Sequence, residues 1–249
     1  MGEMKQVAKG DNNSQQSVVV NGNLTLGMNR EEVYEMIKSY NIVNREEIIG
    51  IVKEAIDGIK EEDRIFPDKR IFVPTIQQLS YSMQDQIIKN TYNKLLNSSM
   101  DRTKSNIVHP SFINIISQLN SDEIKILNKV PPVVFALKPL INLNIKIGGK
   151  SKITLLSNFS DIAFEECDFP QNIGFYIENL ERLKLIEIPP LSRIVREEEY
   201  ERLERHPMVL KIMEINRIKD DRIEQRYEFD KKLFHITEIG INFLKACIK

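Results

Sequence analysis

The chain has no tryptophan, and its 249 residues include only two cysteines and three histidines. Two thiols far apart in sequence, Cys167 and Cys247, cannot build a disulfide framework, so a reducing cytoplasm is the expected compartment. His109, His206 and His235 are also widely spaced, and no His or Cys pair has the spacing of zinc ligands. We therefore predict no metal site and no cofactor.

Long hydrophobic runs and an excess of charge of one sign are missing as well. The chain has 35 basic and 36 acidic side chains, so nothing predicts a general attraction to nucleic acid or to an anionic membrane. No stretch approaches the roughly 20 apolar residues of a membrane-spanning helix. Residues 1–16 contain no apolar run of the kind a signal peptide needs. The expectation is a cytoplasmic protein with no membrane partner.

Catalytic motifs are absent too. Cys167 lies between Glu166 and Asp168, whose charges disfavour the reactive thiolate. Residues 148–151 read Gly-Gly-Lys-Ser, but position 144 is Asn where a phosphate-binding loop needs its first glycine, and strand-like segments flank the motif. We name no catalytic residue, although a site assembled from distant residues stays open.

The N-terminal segment has the clearest local signal. Two β-rich runs, 16–20 and 23–26, flank Asn21-Gly22, which predicts a tight β-hairpin. Because a lone hairpin is marginal in water, we predict that it pairs with another copy and forms a homo-oligomer. The alternative is a flexible tail. The predicted self-association residues are Val18, Val19, Val20, Leu24 and Leu26.

Two helices with the same opening come next. Asn29 and Asn44 are each followed three residues later by a glutamate, which predicts capping-box-like starts. Charged residues and a proline then interrupt the pattern near residue 66. The predicted organisation is an oligomerisation segment at 1–27, a helical linker module at 28–66 and a main domain at 67–249.

The main domain begins with a long apolar stripe. Apolar residues recur at steps of three and four from Ile76 to Leu96, which predicts one long helix with Pro74 in its first turn. Two short helices, 110–119 and 121–129, follow the polar loop after it. Asn120 with Glu123 predicts a capping box at the start of the second of these helices.

The C-terminal part mixes helices and strands. We predict strands at 133–137, 143–147, 153–156, 223–229 and 232–236, with a turn at Asp230-Lys231 before the last one. A helix at 171–184 precedes this late hairpin, and Thr237 caps a final helix that turns Ile239, Phe243, Leu244 and Cys247 inward. The predicted class is mainly α with small β elements, α+β, with a winged-helix-like C-terminal part.

A winged helix would place helix 171–184 in the groove of a nucleic acid. The outward face of this helix includes Phe175 and two glutamates, which match a phosphate wall poorly. A scaffold for protein contacts is therefore favoured over nucleic-acid binding. The candidate binding residues on this face are Gln171, Asn172 and Arg182.

Three separated motifs resemble those of the abortive-infection alpha family. They are VHPSFINIISQLNSDEIKIL at 108–127, LERLKLI at 180–186 and FHITEIGINFLKAC at 234–247. The resemblance runs from about residue 73 to the C-terminus. It implies a bacterial protein associated with defence against phage.

The functional hypothesis joins the resemblance to the residues. We expect an antiphage defence protein that acts by self-assembly and by binding a phage or host component, without evident catalysis. One alternative is a winged-helix regulator that binds nucleic acid. Another is a toxin enzyme, such as a nuclease or an NAD-consuming enzyme, whose site the sequence does not reveal.

Overall fold

The computed structural model describes residues 19–20, 23–24, 30–39, 44–133, 136–148, 151–190, 196–218 and 224–249. Within them the chain is mainly helical and carries a small antiparallel sheet, which confirms the α+β class. The helices are α1 (Arg30–Ser39), α2 (Arg45–Asp57), α3 (Lys69–Tyr81), α4 (Gln86–Met100), α5 (Ser111–Ile116), α6 (Ser121–Lys129), α7 (Ile173–Arg182), α8 (Glu197–Glu204), α9 (Pro207–Ile215) and α10 (Glu238–Phe243), which continues into a π-helical turn (Leu244–Ile248). The strands are β1 (Val19–Val20), β2 (Asn23–Leu24), β3 (Lys138–Ile147), β4 (Ser151–Phe159), β5 (Ile186–Glu187) and β6 (Gln225–Ile236).

The N-terminal hairpin is present in the backbone. β1 pairs with β2 in antiparallel fashion, with Val19 opposite Leu24 and Val20 opposite Asn23. The predicted hairpin is thus confirmed at these four positions. Val18 and Leu26, which complete the predicted self-association set, lie outside the described residues.

The predicted long helix is wrong, because two helices take its place. α3 begins at Lys69 and therefore holds Pro74 in its interior, and α4 begins only at Gln86. Between them the Asp85 carboxylate accepts hydrogen bonds from the N–H groups of Ile87 (3.0 Å) and Ile88 (3.1 Å). Such a side-chain cap starts a new helix, which is why the apolar stripe continues although the helix does not.

Two of the predicted helix caps, at Asn44 and Asn120, differ in outcome. Asn120 accepts a hydrogen bond from the Glu123 N–H (2.9 Å), and the Glu123 carboxylate accepts one from the Asn120 N–H (2.7 Å), so this capping box is confirmed. Asn44 makes no side-chain cap bond. Its backbone is left-handed (φ 57°), whereas a capping side chain needs an extended backbone to reach the first turn. Asn29 lies outside the described residues.

The sheet has the strand order β4-β3-β6-β5, and every neighbouring pair is antiparallel. The predicted late hairpin is wrong, because β6 runs unbroken through Asp230 and Lys231. Residues 225–234 of β6 pair with β3, from Gln225 opposite Ile147 to Phe234 opposite Lys138. This pairing with a distant strand overrides the local turn signal.

The other predicted strands differ in outcome. Residues 143–147 and 153–156 lie in β3 and β4, as predicted. The predicted strand at 133–137 is wrong where it is described, since 133, 136 and 137 are outside any strand and β3 begins at Lys138. Residues 134–135 lie outside the described part.

The core is organised around α4, which packs on α2, α3, α5 and the C-terminal π-helical turn. Leu95 and Leu96 are fully buried. The Ser98 hydroxyl donates a hydrogen bond to the Ala246 carbonyl at 2.9 Å, and Lys94 donates one to the carbonyl of Ile248. The last residues of the described chain therefore complete the central helix bundle.

The last helix begins as predicted, because the Thr237 hydroxyl accepts a hydrogen bond from the Gly240 N–H (3.0 Å). Ile239 is 46% exposed, so its predicted inward position is wrong. α10 turns Gly240 and Phe243 inward instead. A Cβ on Gly240 would lie 2.1 Å from the Leu185 carbonyl oxygen, which fixes this orientation.

α7 lies against the C-terminal end of β4. A Cβ on Gly174 would lie 2.5 Å from the carbonyl oxygen of Ser157, so only glycine permits this approach.

In the described part of the chain, every helix is too short or too polar to cross a membrane.

Candidate functional site

A buried carboxylate joins α6 to the start of α7. The Asp122 side chain is only 5% exposed. Its oxygens accept hydrogen bonds from the N–H groups of Asp168 (2.9 Å) and Phe169 (2.9 Å). The Tyr176 hydroxyl (3.0 Å) and the Lys125 ammonium (3.2 Å) also donate to them. Four donors from two segments of the chain thus converge on one side chain.

These donors decide the charge of Asp122. Burial by itself would raise its pKa, because a low-dielectric interior disfavours the ionised form. The N–H groups of Asp168 and Phe169, with Lys125 and Tyr176, outweigh burial and hold the pKa below the ordinary 3.8. Asp122 is therefore an ionised anchor at neutral pH.

The segment that Asp122 anchors presents two large apolar side chains to solvent. Phe169 is 58% exposed and Phe175 is 66% exposed. Gln171 and Asn172 lie between them and are also exposed. We call residues 169–175 the aromatic turn. Aromatic residues are enriched in protein interfaces, and a backbone held in place loses little entropy on binding. The aromatic turn is therefore the strongest candidate contact surface.

Part of this surface was visible in the sequence. The helical pattern places Phe175 on the outward face of α7, opposite Ile173, Ile177 and Leu180, which are buried. An apolar residue on an outward face is the available signal. Asp122 was missed, because its partners at 168, 169 and 176 lie in a segment far from it along the chain.

A second carboxylate holds the other end of α7. Glu123 accepts a hydrogen bond from the Asn179 side-chain amide (2.7 Å). Arg182 donates to the side-chain oxygens of Asn179 (2.6 Å) and Gln118 (3.0 Å). Burial raises the pKa of Glu123, against the opposing effects of the Asn120 N–H and the Asn179 amide. This end of α7 is a polar tie between helices.

The three candidate binding residues do not form one cluster. Gln171 and Asn172 precede α7, whereas Arg182 is its last residue. At 1.5 Å per residue these positions are about 15 Å apart along the axis. The structure places the first two in the aromatic turn and Arg182 in the polar tie.

A charged cleft of about 240 Å³ lies near the end of α6 and the start of β3. Lys129 pairs with Glu165 (2.5 Å) and Glu166 (2.8 Å), and Arg202 pairs with Asp161 (3.0 Å). Cations and carboxylates of the lining are equal in number: Lys129, Lys138 and Arg202 against Asp161, Glu165 and Glu199. The cleft therefore has no charge preference that would select a ligand.

The thiols do not offer a nucleophile. Burial, and then the Asp122 charge, raise the pKa of Cys167 to about 11, so it is protonated at neutral pH. Cys247 is fully buried, as predicted, and burial raises its pKa as well.

The histidines have local roles. His109 bonds the Ser111 N–H (3.1 Å) at the start of α5, and His206 caps α9 by accepting from the Met208 N–H (3.2 Å). His235 is half-buried in β6. Over the described ranges, no three His, Cys, Asp or Glu side chains are grouped so as to hold a metal ion.

Comparison with known proteins gives one family. The model of the family described as abortive infection alpha matches residues 38–247, so the match begins well before residue 73. A comparison with curated proteins gives no significant match. One solved structure, an uncharacterized protein from the hydrocarbon-degrading marine bacterium Alcanivorax borkumensis SK2, is 16% identical. The alignment covers 59% of this chain and 96% of that chain, with a TM-score of 0.33, which is too low to support an argument.

Proposed function

Because this chain belongs to the abortive infection alpha family, we propose that it acts in antiphage defence by self-assembly and by binding a phage or host protein in the cytoplasm. The observation that carries the binding role is the aromatic turn. Phe169 and Phe175 are exposed, while the Asp122 carboxylate binds the Phe169 N–H and the hydroxyl of Tyr176, which follows Phe175. Burying one such side chain in an interface stabilises a complex by about 1.5–3 kcal/mol.

The test of the binding role is a phage-protection assay in bacteria that express the full-length chain. The double variant Phe169→Ala/Phe175→Ala should lose protection by at least tenfold in plaque counts, because both anchors are truncated. Its melting temperature should stay close to that of the wild type, since both side chains are largely exposed.

Tyr81 supplies the matched control. It is also an exposed aromatic residue, at 80%, but it lies at the end of α3. Tyr81→Ala should keep full protection. Equal protection by the wild type and the double variant would remove the aromatic turn as the contact.

The proposed assembly rests on the N-terminal hairpin. Strands of two residues each are too short to be stable alone. A chain that starts at Met28 should therefore have a lower mass in multi-angle light scattering than the full-length chain. Val19→Asp or Leu24→Asp should mimic the truncation. A mass that stays the same in all of these chains would refute assembly through the hairpin.

We keep the winged-helix-like arrangement as part of the proposal. α5, α6 and α7 supply its three helices, and β5 with the end of β6, where Ile186 lies opposite Ile236, supplies the paired strands. Protein contacts suit it better than nucleic acid, because Arg182 is engaged by Asn179 and Gln118.

A further inference from the structure

Among the described residues, no strand pairs with the outer edge of β4, and we call the first half of this edge the open edge. β4 is the terminal strand of the four-stranded sheet. Residues 151–154 are exposed, and the Ile153 side chain is 50% exposed. Towards its other end, α7 approaches through Gly174 and covers the carbonyl of Ser157. The open edge is therefore short, and it ends before Ser157, where α7 approaches β4.

The hydrogen-bonding direction of this edge follows from the ladder. The Gly148 N–H donates to Glu224, on the β6 side of β3 (3.0 Å). Backbone groups alternate in direction along an antiparallel strand. Ile145 and its partner Ile153 therefore face each other within the sheet. Lys152 and Thr154 consequently turn their N–H and C=O groups to the open edge.

The open part of the edge, residues 151–154, lacks the usual protection against strand pairing, because the register shifts of the β3–β4 pair lie beyond Thr154. A free lysine on an edge strand discourages pairing. The Lys152 ammonium, however, is bound to the Asp230 carboxylate at 2.9 and 3.0 Å. Proline is absent from 151–159. The edge therefore offers unpaired backbone groups, an exposed isoleucine and a neutralised lysine.

We propose that β1 of a second copy adds as a strand to the open edge of β4. The inference rests on the proposed self-assembly and names the surface that receives the hairpin. Residues 12–27 contain no charged side chain, so β1 brings no like charge to Lys152. Reciprocal exchange between two copies forms the contact twice, which compensates for the small area of one short strand.

The chain connectivity favours a second copy over the chain's own edge. From Leu24 to Arg30 the chain spans at most about 20 Å. In the fold, α1 packs on α2, α2 on α4, α4 on α6, α6 on α7, and α7 on β4. Each helix–helix step adds about 8–10 Å. The series of packed helices between α1 and β4 is therefore longer than the link from Leu24 to Arg30.

The test uses full-length chains in multi-angle light scattering. Thr154→Pro removes an N–H that faces the open edge, a position where edge strands tolerate proline. It should reduce the oligomer to monomer, with at least a tenfold weaker self-association. Thr154→Val is the matched control, because it also loses the hydroxyl bond to Asn144 (2.8 Å) but keeps the N–H. It should assemble like the wild type.

A mixing experiment identifies the two halves of the contact. Val19→Asp has a defective β1 and an intact edge, whereas Thr154→Pro has the reverse. Each should be monomeric alone, and a concentration series of their mixture should show a heterodimer that is weaker than the wild-type dimer, because only one of the two contacts remains. If Thr154→Pro unfolds, Ile153→Glu replaces it, since a charge at this exposed position should equally oppose the added strand.

Three outcomes overturn the inference. Wild-type mass for Thr154→Pro together with a monomeric Val19→Asp means that hairpins pair with each other, and the proposed self-assembly then stands. Failure of the two monomeric variants to combine at the highest concentration of the series also refutes the β4 contact. A monomeric wild type refutes both this inference and the proposed self-assembly.

Discussion

The two ends of α7 are held by neighbouring carboxylates that behave in opposite ways. Asp122 anchors the aromatic turn, and Glu123 anchors the polar tie around Arg182. Asp122 and Glu123 are both buried. Nevertheless the pKa of Asp122 lies below its ordinary value, whereas burial raises that of Glu123.

Burial is the largest single effect on the pKa of both carboxyls, and the number of donors decides whether that effect is overcome. Asp122 receives two backbone N–H groups, a hydroxyl and an ammonium. Glu123 receives one backbone N–H and one side-chain amide. Fixed backbone dipoles lose little entropy when they solvate an anion. The aromatic turn therefore has the stronger anchor.

The largest expected effect is that of Asp122→Asn. The amide group would face the N–H groups of Asp168 or Phe169, and at least one of these donors would lose its acceptor. Loss of bonds to a buried charge should lower the free energy of unfolding by about 3 kcal/mol. Denaturant unfolding followed by circular dichroism measures the change.

Unfolding at low pH provides the control for Asp122→Asn. Because the pKa of Asp122 is lower in the folded chain, its stabilisation is complete above the ordinary value of 3.8 and is lost as the pH falls through the folded value. The difference between wild type and Asp122→Asn should therefore shrink at low pH. A constant difference down to pH 2 would contradict an ionised anchor.

Glu123→Gln should have an intermediate effect, a loss of about 1 kcal/mol at acidic pH. Glutamine can still accept from the Asn120 N–H but meets the Asn179 amide less well. The folded pKa of Glu123 is raised, so the wild type loses stability as the pH rises from 4.5 towards that value. Unfolding curves at pH 4 and pH 7 should thus show a smaller deficit for the variant at pH 7. A larger deficit at pH 7 would mean that the folded pKa of Glu123, like that of Asp122, lies below its ordinary value.

Arg182→Ala should have the smallest effect, about 0.5 kcal/mol, because the side chain is exposed and its bonds to Asn179 and Gln118 compete with water. Thermal melts can resolve this change. Lys184→Ala, just after α7, is the control without these bonds. If Arg182→Ala instead abolished salt-dependent binding to duplex DNA, this end of α7 would be a nucleic-acid contact.

The sequence predicts those features of α6 and α7 that depend on local pattern. The Asn120–Glu123 box and the outward position of Phe175 follow from residue types at helical spacing. Asp122 could not be found in this way, because a carboxylate in the first turn of a helix is common and its two backbone donors lie 46 and 47 residues away. Only the tertiary structure distinguishes it from Glu123.

The same limit explains the errors elsewhere. Asp85 caps α4 and also accepts from the Ser121 hydroxyl at 2.7 Å, 36 residues away, so the apolar stripe alone could not reveal the break before it. Asp230 and Lys231 look like a turn, yet β3 holds them in a continuous strand. The strand in particular owes its local conformation to a partner that is distant in sequence.

The packing of α4 against the C-terminal turn also has a consequence for how the protein is made. Lys94 and Ile248 are 154 residues apart, and Ser98 and Ala246 are 148 residues apart. At roughly 5–20 residues per second, the ribosome adds the intervening chain in about 8–30 s. Throughout that time the nascent α4 lacks one side of its packing, so the nascent chain is exposed to chaperones, and to aggregation, until residues 244–248 have been synthesised.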